Sequence, residues 1–251
     1  MQSWLSYWDA PNTSYVSDRH KQAHYDVLFA GIRPHLPGPD GVILDWGCGD
    51  AFAAGRIAEH CGTVLLFDAA ETTRERLNVR YGSNHRIRVL DDSGLNAVPH
   101  SSVDLVVVNS VVQYLLIDEF DEALSLLHRL IRLGGALLVG DVISPGTGNS
   151  RHATTFLRFA WKRGFLLAAI GGLTRKFISP YRRLQHDLGL TAYTPIDMLH
   201  KLERHGFTAD KLPHNIAVSQ HRSSYIGRKL DGFGLTPSDH HAASAHERGP
   251  A

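Results

Sequence analysis

The chain has 251 residues, 43% hydrophobic and 20% charged, with a formal net charge of +1. That describes a globular protein with one good core and makes no general case for nucleic acid as a partner. Two cysteines, Cys48 and Cys61, exclude a disulfide framework and a zinc site of cysteines alone. Residues 1–9 do not read as a secretory signal, and no run reaches the ~18 uncharged apolar residues of a membrane span, so a cytoplasmic setting is expected.

An N-terminal helical cap is expected over about 1–35. It carries Tyr15 and, one turn apart at i and i+4, His20 and His24. The apolar run at 42–44 predicts a buried strand that passes through Asp45 and Trp46 into the turn Gly47-Cys48-Gly49. A helix is expected over 52–60, a strand over 63–67 and an Arg/Glu-rich helix over 71–81. Further strands are expected over 86–90 and 105–108. Uninterrupted apolar runs suit strands covered on both faces.

The clearest helix is 118–132. Leu124, Leu127, His128 and Ile131 share one face, acids crowd its first turns and arginines its last. Gly134-Gly135 is expected to end it before a fifth strand at 136–140. Thr194 and Pro195 open a helix that stops at Gly206. Runs at 208–212 and 222–226 then predict an antiparallel hairpin at the sheet edge. The alternation predicts an α/β fold: a Rossmann-like doubly wound sheet, mostly parallel, forming a single domain over 1–230. Residues 231–251, rich in Gly, Pro, Ser, His and Ala, are expected to be disordered.

Between the fifth strand and residue 194 lies an insert, about 144–190. From Arg151 to His186 it holds eight Lys or Arg and no acid, while the rest of the chain carries 18 basic and 25 acidic residues. Residues 154–170 predict one basic helix with a wide Phe/Leu/Trp face.

The glycine turn alone is a weak signal, since any α/β protein can use a tight turn there. Its neighbours discriminate between cofactors. A pyrophosphate cofactor wants a third glycine, and Phe52 stands in its place; Asp50 at the helix entrance would repel phosphate. No phosphate-cradling lysine is present. S-adenosylmethionine carries no phosphate but has a sulfonium and an ammonium, which acids favour. Asp45 fits that role, with bare backbone at Gly47 and Gly49 beside Cys48. Asp68, ending the second strand, is placed to bond ribose hydroxyls, or else to cap the following helix. Asp91, Asp92 and Ser93 end the third strand, where a side chain reaches an adenine edge or makes an Asx turn. Asn109 and Gln113 follow the fourth.

These segments together resemble the class I S-adenosylmethionine-dependent methyltransferases. Asp45-Trp46-Gly47-Cys48-Gly49 is similar to the family's glycine motif, and Asp68 and Asp91-Asp92 to its ribose and adenine-side acids. Residues 103–114 and 130–141 are similar to its fourth- and fifth-strand segments. The resemblance covers 40–142 well and 194–228 loosely, and it implies an antiparallel last strand. Ala51 departs from a third glycine found in many members; only slight adjustment is expected there.

Methyl transfer needs positioning first, and a base only if the acceptor must lose a proton. Candidates for the base are His20, His24, Tyr114, Asp141 and His152. Each also has a bland reading as a solvent-facing, packing or turn-capping residue, and no metal is assigned. The expected activity is methyl transfer to a small-molecule or lipid-like acceptor. The alternative is a non-catalytic S-adenosylmethionine-binding or interaction protein. The basic insert reads three ways: a cap packed on the sheet or on a second subunit, a peripheral contact with anionic membrane or lipid-like substrate through 151–186, or, less favoured, an RNA surface.

Overall fold

The computed structural model describes residues 3–10, 15–146, 149–176 and 180–230; for 149–154, 172–176, 180 and 182 the backbone alone is described. The expected disordered tail, 231–251, lies outside the described residues.

Seven strands form one sheet in the order β3-β2-β1-β4-β5-β7-β6: β1 Val42–Trp46, β2 Thr63–Phe67, β3 Ile87–Leu90, β4 Val103–Asn109, β5 Ile131–Val142, β6 Phe207–Lys211 and β7 Ser223–Lys229. β1 to β5 pair in parallel, and β7 runs antiparallel to both β5 and β6. The hairpin is therefore added as expected, but with its second strand inside and β6 at the edge.

Alternate residues of each central strand feed opposite faces. Leu44, Val106, Val108, Leu137 and Val139 pack with Phe120, Leu124 and Leu127 of helix α6 (Ile117–Leu130) and Met198 and Leu202 of α10 (Pro195–Arg204). Ile43, Leu66, Leu105, Val107 and Leu138 pack with Leu28, Phe29 and Ile32 of α2 (Asp18–Ile32), Ile57 of α3 (Ala54–Ala58) and Leu77 of α4 (Glu71–Tyr81). The remaining helices are α1 Trp4–Trp8, α5 Asp92–Asn96, α7 Asn149–Arg163, α8 Leu166–Lys176 and α9 Pro180–Leu188.

Several expected boundaries move. The helix at 52–60 shrinks to α3, because the chain is still turning through Ala51 at φ +43. Ala51 is buried and in the left-handed region, so alanine is a strained choice there rather than a neutral one. The helix at 118–132 ends at Leu130 and Ile131 begins β5 directly, without a loop. Gly134, at φ +73, belongs instead to an irregularity in β5, where pairing jumps from Val103↔Ile131 to Leu105↔Ala136. Arg132 turns back from this bulge to the carboxylate of Asp104, which also accepts from Val42 N at 2.7 Å.

The single basic helix expected at 154–170 is a helical hairpin. Gly164, at φ +73, ends α7: its N–H donates to Trp161 O at 3.3 Å, and Phe165 N–H donates to Ala160 O at 2.9 Å. That is a Schellman stop, which a β-carbon at 164 would disfavour. The inner faces of both helices, with Ala160, Phe165 and Ala169 buried, pack on Ala23 of α2. Among the described residues the hairpin thus seats on α2 of the N-terminal cap.

Candidate cofactor and acceptor site

The glycine turn leaves β1 along a path that needs missing side chains. Gly47 sits at φ +75, and a β-carbon there would lie 2.4 Å from Val111 Cγ2. Gly49 follows at φ +54. Gly47 and Cys48 N–H groups both donate to Phe67 O at the end of β2, at 2.8 and 3.1 Å. Asp68 fixes the rest of the turn: one carboxylate oxygen accepts from Gly49 N at 2.9 Å and the other from Ala70 N at 3.0 Å. Asp68 thus clamps the turn without capping α4, whose N-cap is Ala70, and a carboxylate with about four lone-pair sites keeps acceptor capacity to spare. Burial pushes its pKa up, against those two backbone bonds.

Asp45 stands apart. It is half-buried and has no hydrogen-bond or ion-pair partner among the described residues. Burial first, and the charge of Asp68 second, raise its pKa to about 7. Two close carboxylates, one of them unpaired, repel each other in a way that a cation would relieve. Asp50, in contrast, is paired with Lys21 of α2 at 3.1 Å, so its repulsion of phosphate is weaker than its place in the sequence implies. The Cys48 thiol is buried and held well above its ordinary pKa, chiefly by desolvation, which keeps it protonated and unreactive.

Asp91 N-caps α5, its Oδ1 accepting from Gly94 N at 2.7 Å; Asp92 and Ser93 occupy the first turn of that helix, exposed. Asn109 turns toward β5, its Oδ1 buried without a partner and 2.6 Å from where a β-carbon on Gly140 would stand. Among the described residues no group of His, Cys, Asp and Glu is arranged to hold a metal ion.

Beyond the ends of β4 and β5 lies a polar wall that local sequence patterns do not reveal. Asp141 Oδ2 accepts from Ser110 Oγ at 2.8 Å and from Arg222 Nη1 at 2.5 Å. Its Oδ1 accepts from Asn215 Nδ2 at 2.9 Å, and Asn215 Oδ1 accepts from Asp141 N at 3.0 Å and from Ser224 Oγ at 2.6 Å. Asp141 therefore has the position expected of it, but its carboxylate is fully committed to holding the wall. Asn215, Arg222 and Ser224 come from the far end of the chain, and no spacing links them to residue 141.

The other base candidates separate clearly. His20 is buried, stacked on Phe165 at 5.0 Å between ring centroids and edge-on to Phe156 at 5.1 Å, with Nδ1 accepting from Val16 N at 3.3 Å. It joins α2 to the insert. Tyr114 is nearly enclosed, its ring 4.8 Å from Trp4 and 5.5 Å from Trp8, its hydroxyl 3.4 Å from that of Tyr181. Burial raises its pKa far beyond use as a base at neutral pH. The backbone of His152 lies in α7, and its side chain is outside the described residues.

His24 remains. It is half-buried, edge-on to Tyr15 and Tyr25 at 5.5 and 5.3 Å, and makes no hydrogen bond among the described residues. Desolvation lowers its pKa, with the nearby Asp141 carboxylate pulling the other way, so the imidazole is neutral at pH 7. Tyr25, one residue on, approaches the glycine turn, its hydroxyl 4.0 Å from a would-be β-carbon on Gly49. The helix α2 thus carries a half-buried, neutral imidazole without a hydrogen bond among the described residues and, one residue on, a tyrosine that approaches the glycine turn.

Residues 44–139 match the family model described as a methyltransferase domain. An uncharacterized methyltransferase of Mycobacterium tuberculosis is 31% identical over 136 residues, 53% of this chain and 66% of that relative, so the chain spans just under two thirds of its length. Among solved structures, the N-methyltransferase NodS from Bradyrhizobium japonicum, in complex with S-adenosyl-L-homocysteine, has a TM-score of 0.53 at 15% identity, covering 89% of this chain and 94% of NodS. The [4+2]-cyclase SpnF has a TM-score of 0.56 at 16% identity, covering 88% of this chain and 86% of SpnF. At such identities these two neighbours speak for the fold. The family match over the sheet and its glycine turn, together with the mycobacterial relative, gives residues 44–139 as a methyltransferase domain and supports membership of the class I S-adenosylmethionine-dependent methyltransferases.

Proposed function

We propose that this chain moves the methyl group of S-adenosylmethionine to a small-molecule or lipid-like acceptor. The observation that carries the reading is the unpaired Asp45 carboxylate, its pKa raised to about 7 beside Asp68, facing a turn stripped of side chains. A cationic, phosphate-free nucleoside satisfies both features; a dinucleotide could use the bare turn, but its pyrophosphate would meet the carboxylates beside it. In this reading Asp45, Gly47, Cys48 and Gly49 hold the methionine portion. Asp68 takes the ribose with its remaining lone pairs. Asp91, Asp92 and Ser93 flank the adenine, and Asn109 closes the site toward β5.

The bound cofactor supplies a carbon already activated by its sulfonium. The chain's own residues orient and desolvate the acceptor, and His24 accepts the proton the acceptor gives up. Asp141, bonded to Ser110, Arg222 and Asn215, serves as a positioning residue that keeps the polar wall in place. Tyr114, Trp4, Trp8 and Tyr181 shut the aromatic side of the site against water.

The fold also accommodates a neighbour named as a cyclase, so a chain that binds the cofactor without transferring its methyl is the alternative. Calorimetry with S-adenosylmethionine, S-adenosylhomocysteine and NAD separates the cofactor classes: tight binding of NAD and indifference to both sulfur compounds overturns the proposal. Release of S-adenosylhomocysteine in an acceptor screen then separates transfer from binding.

A further inference from the structure

The helical hairpin α7–α8 has one face accounted for and one that is not. The inner face is a small core of its own, where Ala160, Phe165 and Ala169 meet Ala23 of α2 and Phe156 and Phe159 close around His20. On the outer face of α7, Arg158, Trp161 and Lys162 fall at i, i+3 and i+4, all exposed. On the outer face of α8, Leu167 and Ile170 are spaced alike. Trp161 is 73% exposed, Leu167 86% and Ile170 50%. Both inner faces join one cluster on α2, so both outer stripes point away from the body of the protein.

Large apolar side chains left this open on neighbouring helices mark an interaction surface rather than scatter. Their surroundings identify the partner. Arg158 and Lys162 flank Trp161 along α7, with Arg163 exposed next to them, and the segment 151–186 holds eight basic residues and no acid. The remainder of the chain carries seven more acids than bases, 25 against 18. Such a molecule is electrically polarised: an anionic surface draws the hairpin in and holds the body off. A tryptophan and two aliphatic side chains flanked by cations match the boundary of an acidic lipid leaflet, where apolar groups enter the acyl region and cations meet headgroups.

We propose that the α7–α8 hairpin docks on an anionic lipid membrane through Trp161, Leu167 and Ile170, with Arg158, Lys162 and Arg163 on the headgroups. No helix among the described residues is long and apolar enough to cross a membrane, so the contact is peripheral. The insert continues into α9, whose Tyr181 lies 5.5 Å from Trp4 and shares a hydroxyl contact with Tyr114 beside the acceptor wall. The proposal stands independently of methyl transfer.

The test is co-sedimentation of the full chain with vesicles of equimolar phosphatidylcholine and phosphatidylglycerol, against vesicles of phosphatidylcholine alone. Binding to the mixed vesicles only, weakening steadily with added salt, is the expected result. Each of Arg158→Glu and Lys162→Glu weakens partition by about fivefold or more, the scale of one basic contact with an acidic leaflet. Trp161→Ser combined with Leu167→Ser abolishes binding, while S-adenosylmethionine affinity and melting temperature stay at the parent values because both side chains are exposed. Equal binding to the neutral vesicles, no binding to either, or unchanged binding by the Trp161/Leu167 variant overturns the proposal. So does displacement from vesicles by single-stranded RNA, which assigns the face to nucleic acid, or a dimer that dissolves on Trp161→Ser, which assigns it to a second copy.

Discussion

Asp45 offers the sharpest test of the proposed cofactor site. Its carboxyl titrates at about 7 in the ligand-free chain, against an ordinary 3.8, chiefly through burial and secondarily through Asp68. A bound sulfonium and ammonium favour the ionised form, so binding in mildly acidic solution must expel a proton. For a group of pKa about 7 that is ionised in the complex, affinity at pH 6 is about tenfold weaker than at pH 8, ~1.4 kcal/mol. At pH 5 the loss is about 100-fold, or ~2.7 kcal/mol. Calorimetry at pH 6 in two buffers of different ionisation enthalpy reads the same linkage as about 0.9 proton released per ligand bound. Asp45→Asn keeps the shape and removes the charge. It weakens binding at pH 8 by ~1.5–3 kcal/mol, the scale of a hydrogen bond to a charged group, and it flattens the pH dependence. The sign for stability is the reverse of the usual carboxylate. Because the folded pKa lies above the unfolded one, the ligand-free chain loses stability as pH rises from about 4 through about 7, and Asp45→Asn removes that loss. A wild-type affinity that is level from pH 6 to 8, or an identical slope in Asp45→Asn, refutes the reasoning.

Three further outcomes are expected. Gly47→Ala places a β-carbon 2.4 Å from Val111 Cγ2 at φ +75 and costs ~2 kcal/mol or more of stability in urea unfolding; adding Val111→Ala recovers only the steric part. His24→Gln lowers the rate constant for transfer by ~10²–10⁴-fold while leaving cofactor affinity unchanged. Since the His24 pKa lies below 6.5, the wild-type rate is level through neutral pH and falls only on acidification below that value; loss of rate already at pH 7 would remove His24 from the role. Asp141→Asn strands Arg222 without its buried counter-charge and costs ~3–5 kcal/mol of stability, read as a fall in urea midpoint.

The sheet was legible because its strands are apolar on both sides and its helices are not. The paired carboxylates were legible because a glycine turn after a strand admits few ligands and Asp45 and Asp68 sit at fixed places around it. Other features depended on distant contacts. His20 and His24 look equivalent at i and i+4, yet the hairpin covers one with phenylalanines while the other sits half-buried between Tyr15 and Tyr25, a difference set by residues 156–165. Asp50 reads as an exposed acid until Lys21 folds onto it. The end of α6 was hidden because Ile131 satisfies the helical face and the strand alike. Gly164 was the one miss with a local signal: a glycine after Lys162 and Arg163 is a helix stop, obscured by the apolar residues on either side.

The polar wall beyond β4 and β5 shows why its residues resist sequence reasoning. Ser110 and Asp141 end neighbouring parallel strands, and both non-glycine residues sit in the left-handed region, at φ +60 and +61. Each conformation costs ~1–3 kcal/mol and persists only where the surroundings overdetermine it. Here they do: the Ser110 hydroxyl bonds the Asp141 carboxylate, Arg222 bonds the same oxygen, and Asn215 holds the Asp141 backbone and side chain together. Glycine would relieve the strain at either position but would delete the side chain that forms the wall. The strain is thus tied to retaining polar side chains at the sheet's carboxyl edge, the edge where ligands of open α/β sheets bind, opposite a histidine left without a hydrogen bond.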